Sequence, residues 1–334
     1  MSLRSLLALH QRDNLWRDAG YFLASATAMG RSRGFLRSAF GRARRRVQAN
    51  VLHAAAMRLA LHSAMLAAEG FAHGFSLRSA AGRAPVDLSA YSAVAGLELQ
   101  LDRAALATAE AFAGSVGFEL ERLYSARQVH GTRVLHVERD VDSPAACRGQ
   151  EADGLLAGPP LGELAAGLAV AVVSADCVPL VLSDPRSGAV AAVHAGWRGL
   201  VAGVALAALT AMQAEYGARP AEVRVAMFPH IRACCFEIGW EVASPLRAIS
   251  RKAVIERSGA RRPFGAMAEA LRAQLVTAGV LPAHIDDVEG CTACDATRFV
   301  SFRRDGRGAG RHYTVAVSRG GNTGAAGTTV EDLR

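Results

Sequence analysis

From Phe71 onward, short apolar runs alternate with Gly, Asp and Pro punctuation and with stretches of helical period. Leu168–Ser174, Val178–Leu182 and Ala189–Val193 are β-rich runs separated by turn residues, and Val134–Val137 adds a further strand. Helical spacing predicts helices over 103–117, Leu200–Tyr216 and 265–279. Upstream, a helical period runs from Val51 to Ala68, with Leu52, Ala56, Leu59 and Met65 on one side. There is no internal repeat, and no long linker after residue 70. The pattern predicts an α/β (α+β) fold: a single domain over 66–325 whose mixed, largely antiparallel sheet is flanked by helices. Residues 1–65 form an extension and 326–334 a C-terminal tail. No uncharged apolar run reaches the roughly 18 residues of a membrane span.

Charge changes the picture only at the N-terminus. Residues 1–60 hold 11 Arg and two acids, Asp13 and Asp18, which leaves 27 basic and 28 acidic residues for the rest of the chain. The net charge of +8 therefore belongs to one arm, and the globular part is neutral overall. A basic excess confined in this way argues against a nucleic-acid partner for the core. The arm reads in three ways: an organelle-type presequence, a basic arm for anionic surfaces, or upstream sequence before a true start at Met57 or Met65. No Sec-type signal is evident, and the expected location is cytoplasmic. Residues 1–64 are expected to be dispensable for folding. Six cysteines are too sparse for a disulfide scaffold.

The central hairpin carries the chemistry. Ser174-Ala175-Asp176-Cys177-Val178-Pro179 opens a strand, Asp184-Pro185-Arg186-Ser187-Gly188 turns it, and the return strand ends at His194. If Asp184 pairs with Ser187, Cys177 lies directly opposite His194. If Pro185–Gly188 form a four-residue loop, the two are diagonal but still on one face. Directly opposed Cβ atoms are roughly 4.5–5.5 Å apart, close enough to share a metal or a proton. Asp176 stands in an apolar stretch, where a carboxylate must be paired or functional. Gly196 and Gly199 follow at a strand-to-helix turn, where backbone N–H groups can meet an anion. His130, in Gln128-Val129-His130-Gly131, completes a His-Cys-His set that suits zinc and leaves a fourth position open. Cys291-Thr292-Ala293-Cys294 lacks a second CxxC, and the vicinal Cys234 and Cys235 do not readily face one metal. These four and Cys147 are read as structural or incidental.

Ordered motifs then carry a resemblance. They are His73-Gly74-Phe75-Ser76-Leu77-Arg78, Gln128-Val129-His130-Gly131, Ala152-Asp153-Gly154-Leu155, Ser174–Pro179 and His194-Ala195-Gly196-Trp197-Arg198-Gly199. Phe228–Gly239, Cys291-Thr292 and Ser301-Phe302-Arg303-Arg304-Asp305-Gly306 follow. Together they resemble the YfiH-like family, long called the multicopper polyphenol oxidase or laccase-domain family, over roughly 70–320. Three stretches depart from its pattern. Ser79–Ala84 replaces a Gly-Gly-Val-Ser stretch, Asp87-Leu88-Ser89 is the remnant of another, and Phe228 and Arg232 stand at glycine positions.

The resemblance implies a zinc-dependent purine nucleoside phosphorylase acting on adenosine, inosine, guanosine and methylthioadenosine with phosphate, plus adenosine deaminase activity. It places the metal on His130, Cys177 and His194. Asp176 and Asp153 are the acid/base candidates, and Arg78 and Arg198 the cations for phosphate. The usual zinc-deaminase signature is absent. Three alternatives stay open. Copper could occupy the same donors and support phenol oxidation, although ten His in all are few for a multicopper enzyme. Cys177 and His194 could form a hydrolase editing peptidoglycan precursors. The chain could also be a nucleoside-binding homologue with impaired turnover.

Overall fold

The apolar runs are continuous, not alternating, because the strands they form are covered on both faces. In a computed structural model that describes residues 59–78, 86, 88, 103–141, 143–160 and 167–319, the strands β6 (Ala169–Ser174), β7 (Val178–Ser183) and β8 (Val190–Ala195) are buried almost throughout. All described residues lie within one compact unit, 56–334.

The other strands are β1 (Ala60–Leu61), β2 (His73–Ser76), β3 (Leu123–Tyr124), β4 (Val134–His136), β5 (Gly154–Ala157), β9 (Arg224–Met227), β10 (Val254–Ile255), β11 (Phe264–Gly265), β12 (Ile285–Asp287) and β13 (His312–Val317). They form two main sheets where the sequence suggested one. The five-stranded sheet runs β1-β2-β13-β6-β3 and the six-stranded sheet β12-β9-β7-β8-β5-β4, with β10 and β11 paired apart. Among the described strands, only β3–β6, β4–β5 and β9–β12 pair in parallel, so the sheets are mixed and largely antiparallel, as expected.

Side-chain alternation sorts the core into layers. Val170 and Val172 of β6 face Val181 and Ala192 between the sheets, together with Phe75, Phe228 and Phe299. Leu180, Leu182, Ala191 and Val193 point the other way, under helix Val204–Tyr216 and helix Met267–Thr277. Ala169, Ala171 and Val315 back onto helix Arg103–Val116. The helix predicted over 200–216 is two helices. Gly203, at φ 90°, ends Trp197–Ala202 in a left-handed cap before Val204–Tyr216 begins.

The N-terminal expectation needs correction. The described end of the period read over 51–68 is strand Ala60–Leu61 and the short helix Ala64–Ala68. Leu59 and Ala60 are buried, β1 pairs antiparallel with β2, and the Ser63 hydroxyl donates to Asp286 at 2.6 Å. Residues 59–65 are therefore built into the fold, and β1 covers what would otherwise be a bare edge of β2. A chain starting at Met65 should be less stable than one starting at Leu59 by more than about 2 kcal/mol in denaturant unfolding. Equal stabilities would show that β1 contributes nothing.

Candidate functional site

The hairpin register brings the site together. Pro179 pairs with His194, and the Asp184 amide donates to the Ala189 carbonyl at 3.0 Å. Pro185–Gly188 thus form the four-residue loop, and Cys177 and His194 are diagonal on one face. His130 arrives from the loop before β4. One donor atom from each of His130, Cys177 and His194 lies within 4.8 Å of the others, and Cys177 Sγ is 3.8 Å from His130 Nε2.

Asp153 organises this set. It is fully buried at the start of β5. Its carboxylate accepts from the amides of Val129 (3.1 Å), His130 (3.0 Å) and Gly131 (2.7 Å) and from His194 Nδ1 (2.8 Å). That last bond fixes the His194 tautomer and turns Nε2 toward Cys177 and His130. The sequence suggested Asp153 as an acid/base. Its four filled lone-pair directions instead suit holding the two histidines in place. Burial alone would raise its pKa, but the His194 and backbone hydrogen bonds outweigh this and lower it.

Among the described residues other than glycine, two are held in the left-handed region that side chains seldom allow: His130 at φ 61° and Asp176 at φ 89°. The Asp153 carboxylate pins the first. Asp176 is pinned by Thr292 Oγ1 (2.6 Å) and the Arg303 amide (2.6 Å) on its carboxylate, and by the Ile231 amide on its carbonyl (3.0 Å). Gly196 and Gly199, read from sequence as a turn that could meet an anion, allow a close approach of the chain. A Cβ on Gly196 would fall 2.3 Å from His130 Cδ2, and one on Gly199 2.8 Å from the Gly131 carbonyl.

Two clefts open on either side of His130 and Cys177 and share Ala175 and Phe302 as walls. One, of about 350 Å³, is lined also by Gln128, Ser174, His194 and Arg311. The other, of about 260 Å³, is lined by Asp176, Trp197, Arg198, Phe236 and Arg303. Arg198 is thus in a cleft. Arg78 lines neither; its guanidinium donates to the Ala296 carbonyl at 3.2 Å. Sequence reasoning passed over Phe302, Arg303 and Arg311. The first two stand in the motif Ser301–Gly306, where nothing local says which way they face.

The donors fit a transition metal. They combine imidazole and thiolate, and one ring is oriented by a buried carboxylate. Burial on its own raises the Cys177 pKa, but the His194 charge and hydrogen bonds from both histidines bring it down to about 6. His194 is raised correspondingly, against its burial, by Cys177 and Asp153. Metal-stripped protein should therefore alkylate at Cys177 as a thiolate down to about pH 6. A midpoint near the ordinary thiol value of roughly 8.5 would remove the pairing with His194. Asp153→Asn should weaken metal binding roughly 10–100-fold in chelator competition; unchanged affinity would show that the carboxylate does not orient the ligands.

Among the described residues, no helix is long and apolar enough to cross a membrane. Comparison with known proteins converges on one group. The sequence model of the family described as multi-copper polyphenol oxidoreductase laccase matches residues 94–319. Adenosine deaminase RL5, from an unknown prokaryotic organism, is 35% identical over 208 residues, 60% of this chain and 76% of its own. Purine nucleoside phosphorylase of Deinococcus radiodurans is 34% identical over 217 residues, 64% of this chain and 78% of its own. The mouse purine nucleoside phosphorylase LACC1 is 26% identical over 74% of this chain, which spans only 56% of the mouse protein's length. The crystal structure of YlmD from Geobacillus stearothermophilus superposes with a TM-score of 0.64 at 28% identity, covering 77% of this chain and 94% of that one.

Proposed function

The chain belongs to the multi-copper polyphenol oxidoreductase laccase family, and we propose that it is a zinc-dependent purine nucleoside phosphorylase that also deaminates adenosine. The observation that carries this reading is the His130–Cys177–His194 set at the floor of two clefts that offer both aromatic walls and arginines. Zinc on these three residues supplies a Lewis acid that activates water or polarises a substrate atom.

The remaining work falls to the chain's own groups. Phe302, half exposed at 49% and shared by both clefts, offers a face for the purine. Ser174 lines the larger cleft, and its buried Oγ has no hydrogen-bond partner among the described residues. Arg303 donates to the neutral carbonyls of Glu237 (3.0 Å) and Cys235 (3.5 Å), so its charge is not cancelled there by a carboxylate. With Arg198 it forms the phosphate-binding side. Asp153 holds both histidines. Asp176 is the proton-handling carboxylate: each of its oxygens accepts one bond from Thr292 or Arg303, leaving lone pairs toward the cleft it lines. In phosphorolysis a phosphate oxygen bonds to C1′, the C1′–N9 bond breaks, and the base leaves after gaining a proton. In deamination water adds at C6 and the amino group leaves as ammonia, taking a proton. On this reading Asp176 carries the proton in each.

Free base should appear from adenosine or inosine only when phosphate is present, and zinc should copurify. Arg303→Ala and Arg198→Ala should each raise the phosphate KM roughly tenfold to a hundredfold, the worth of one charge-assisted hydrogen bond. Arg303→Ala keeps the backbone amide that holds Asp176. Arg78→Ala should leave the phosphate KM unchanged. Base release equally fast without phosphate would make the enzyme a hydrolase. Copper in place of zinc, with phenol oxidation and no base release, would overturn the reading altogether.

A further inference from the structure

We propose that Cys234, Cys235, Cys291 and Cys294 form a second metal centre, a tetrathiolate zinc site that pins the loop after β9 to the loop after β12. Their four sulfurs all lie within 4.8 Å of one another. Cys234 Sγ is 3.4 Å from both Cys291 Sγ and Cys294 Sγ, and Cys235 Sγ is 3.2 Å from Cys294 Sγ. A disulfide needs about 2.05 Å. Four thiolates about 2.3 Å from a tetrahedral zinc stand roughly 3.8 Å apart. The three pairs just given would part by roughly 0.4–0.6 Å to reach that spacing, and four thiolates in a tetrahedron are the donor set zinc favours.

The sequence expectation that a vicinal pair does not face one metal, and that the CxxC lacks a partner, is corrected by two tight turns. The amides of Cys235 and Phe236 both donate to the Arg232 carbonyl at 2.9 Å, which curls Cys234 and Cys235 into one turn. The Asp295 amide closes the Cys291–Cys294 turn on the Cys291 carbonyl at 3.2 Å. The vicinal pair thus supplies the missing half. The Arg232 amide also donates to Cys291 Sγ at 3.4 Å, a bond that favours the thiolate. The two loops are further joined by the Thr292 amide on the His230 carbonyl (3.1 Å) and by Arg232 on Asp287 (2.5 and 2.7 Å).

Four protein ligands leave no open position, so the centre is structural, not catalytic. Its reach to the other site is short. Thr292, between the two cysteines of the CxxC, gives its hydroxyl to Asp176, and Arg303 bonds the carbonyl of Cys235. Closing the sulfur cage fixes the loops that hold Asp176 in its left-handed conformation. None of the four cysteines lines either cleft.

Metal analysis of the purified full chain tests this directly. The wild-type protein should carry two zinc ions per chain. Cys177→Ser should retain one, and Cys291→Ser with Cys294→Ser should lose the one that Cys177→Ser keeps. Cobalt substituted into the Cys177→Ser protein should give the intense sulfur-to-cobalt absorption of a tetrathiolate site. A metal-free Cys177→Ser protein would overturn the proposal, as would a Cys235–Cys294 disulfide in the wild-type chain as purified. Both readings come from proteins in which the four cysteines are intact, so misfolding of the double variant cannot produce them. Base release by a wild-type chain with one zinc ion would sink the second centre and leave the enzyme reading standing.

Discussion

The site rests on one buried carboxylate. Asp153 has no exposed surface, so its charge is tolerable only if every oxygen is satisfied. It meets that demand with three consecutive amides of the His130 loop and with the His194 ring. The donors sit on different segments, one before β4 and one at the end of β8. Satisfying the charge therefore also sets the distance between the two imidazoles, whose centroids are 4.9 Å apart. Gly196 and Gly199 let the loop come this close, and β5, paired with β8, delivers the carboxylate. Removing the charge would leave several buried donors unpaired, which costs more than the sum of weak bonds suggests.

A second constraint acts on the other flank. Asp176 precedes Cys177 in a conformation that only glycine adopts freely, and its three hydrogen bonds come from Ile231, Thr292 and Arg303. Ile231 and Thr292 belong to two loops beyond the ends of the strands, and Arg303 to the short helix Phe302–Asp305. The doubly covered sheets position Cys177 and His194, while the segments beyond the strand ends position Asp176, the carboxylate proposed to handle the proton. This division matches the general tendency of scaffolds to fix a site and of loops to tune it.

What was legible in the sequence follows the same division. A strand has period two, so either hairpin turn put Cys177 and His194 on one face, and the residues alone sufficed for that. The continuous apolar runs gave the strands but not their division into two sheets, since burial on both faces looks alike in either arrangement. The role of Asp153 was hidden, because its partners are about twenty and forty residues away and no spacing encodes them. Arg78 was read as a phosphate cation because it ends the opening motif that survives, but its side chain reaches the Ala296 carbonyl and lines neither cleft. The vicinal cysteines failed as a zinc signal for a related reason. The second half of the set lies beyond β12, and only the parallel pairing of β9 with β12 brings the two turns side by side.

The arginines show how a near-neutral core can still attract an anion. Arg232 and Arg304 are matched by Asp287 and Asp305, and Arg127 by Glu151, so they contribute little field at a distance. Arg303 and Arg311 line the clefts and donate to main-chain carbonyls instead. A carbonyl orients a guanidinium without cancelling its charge. These guanidinium groups stand beside the apolar side chains of Phe302 and Phe236 in the clefts, and a charge against a low-dielectric wall acts more strongly than one at the open surface. On the proposed phosphorylase reading, a phosphate dianion entering such a cleft would meet oriented donors and would not have to break an ion pair first. For this reason the charge that matters is the local one beside Asp176 and Phe302, and the chain's overall basicity, which resides in its N-terminal arm, says little about the site.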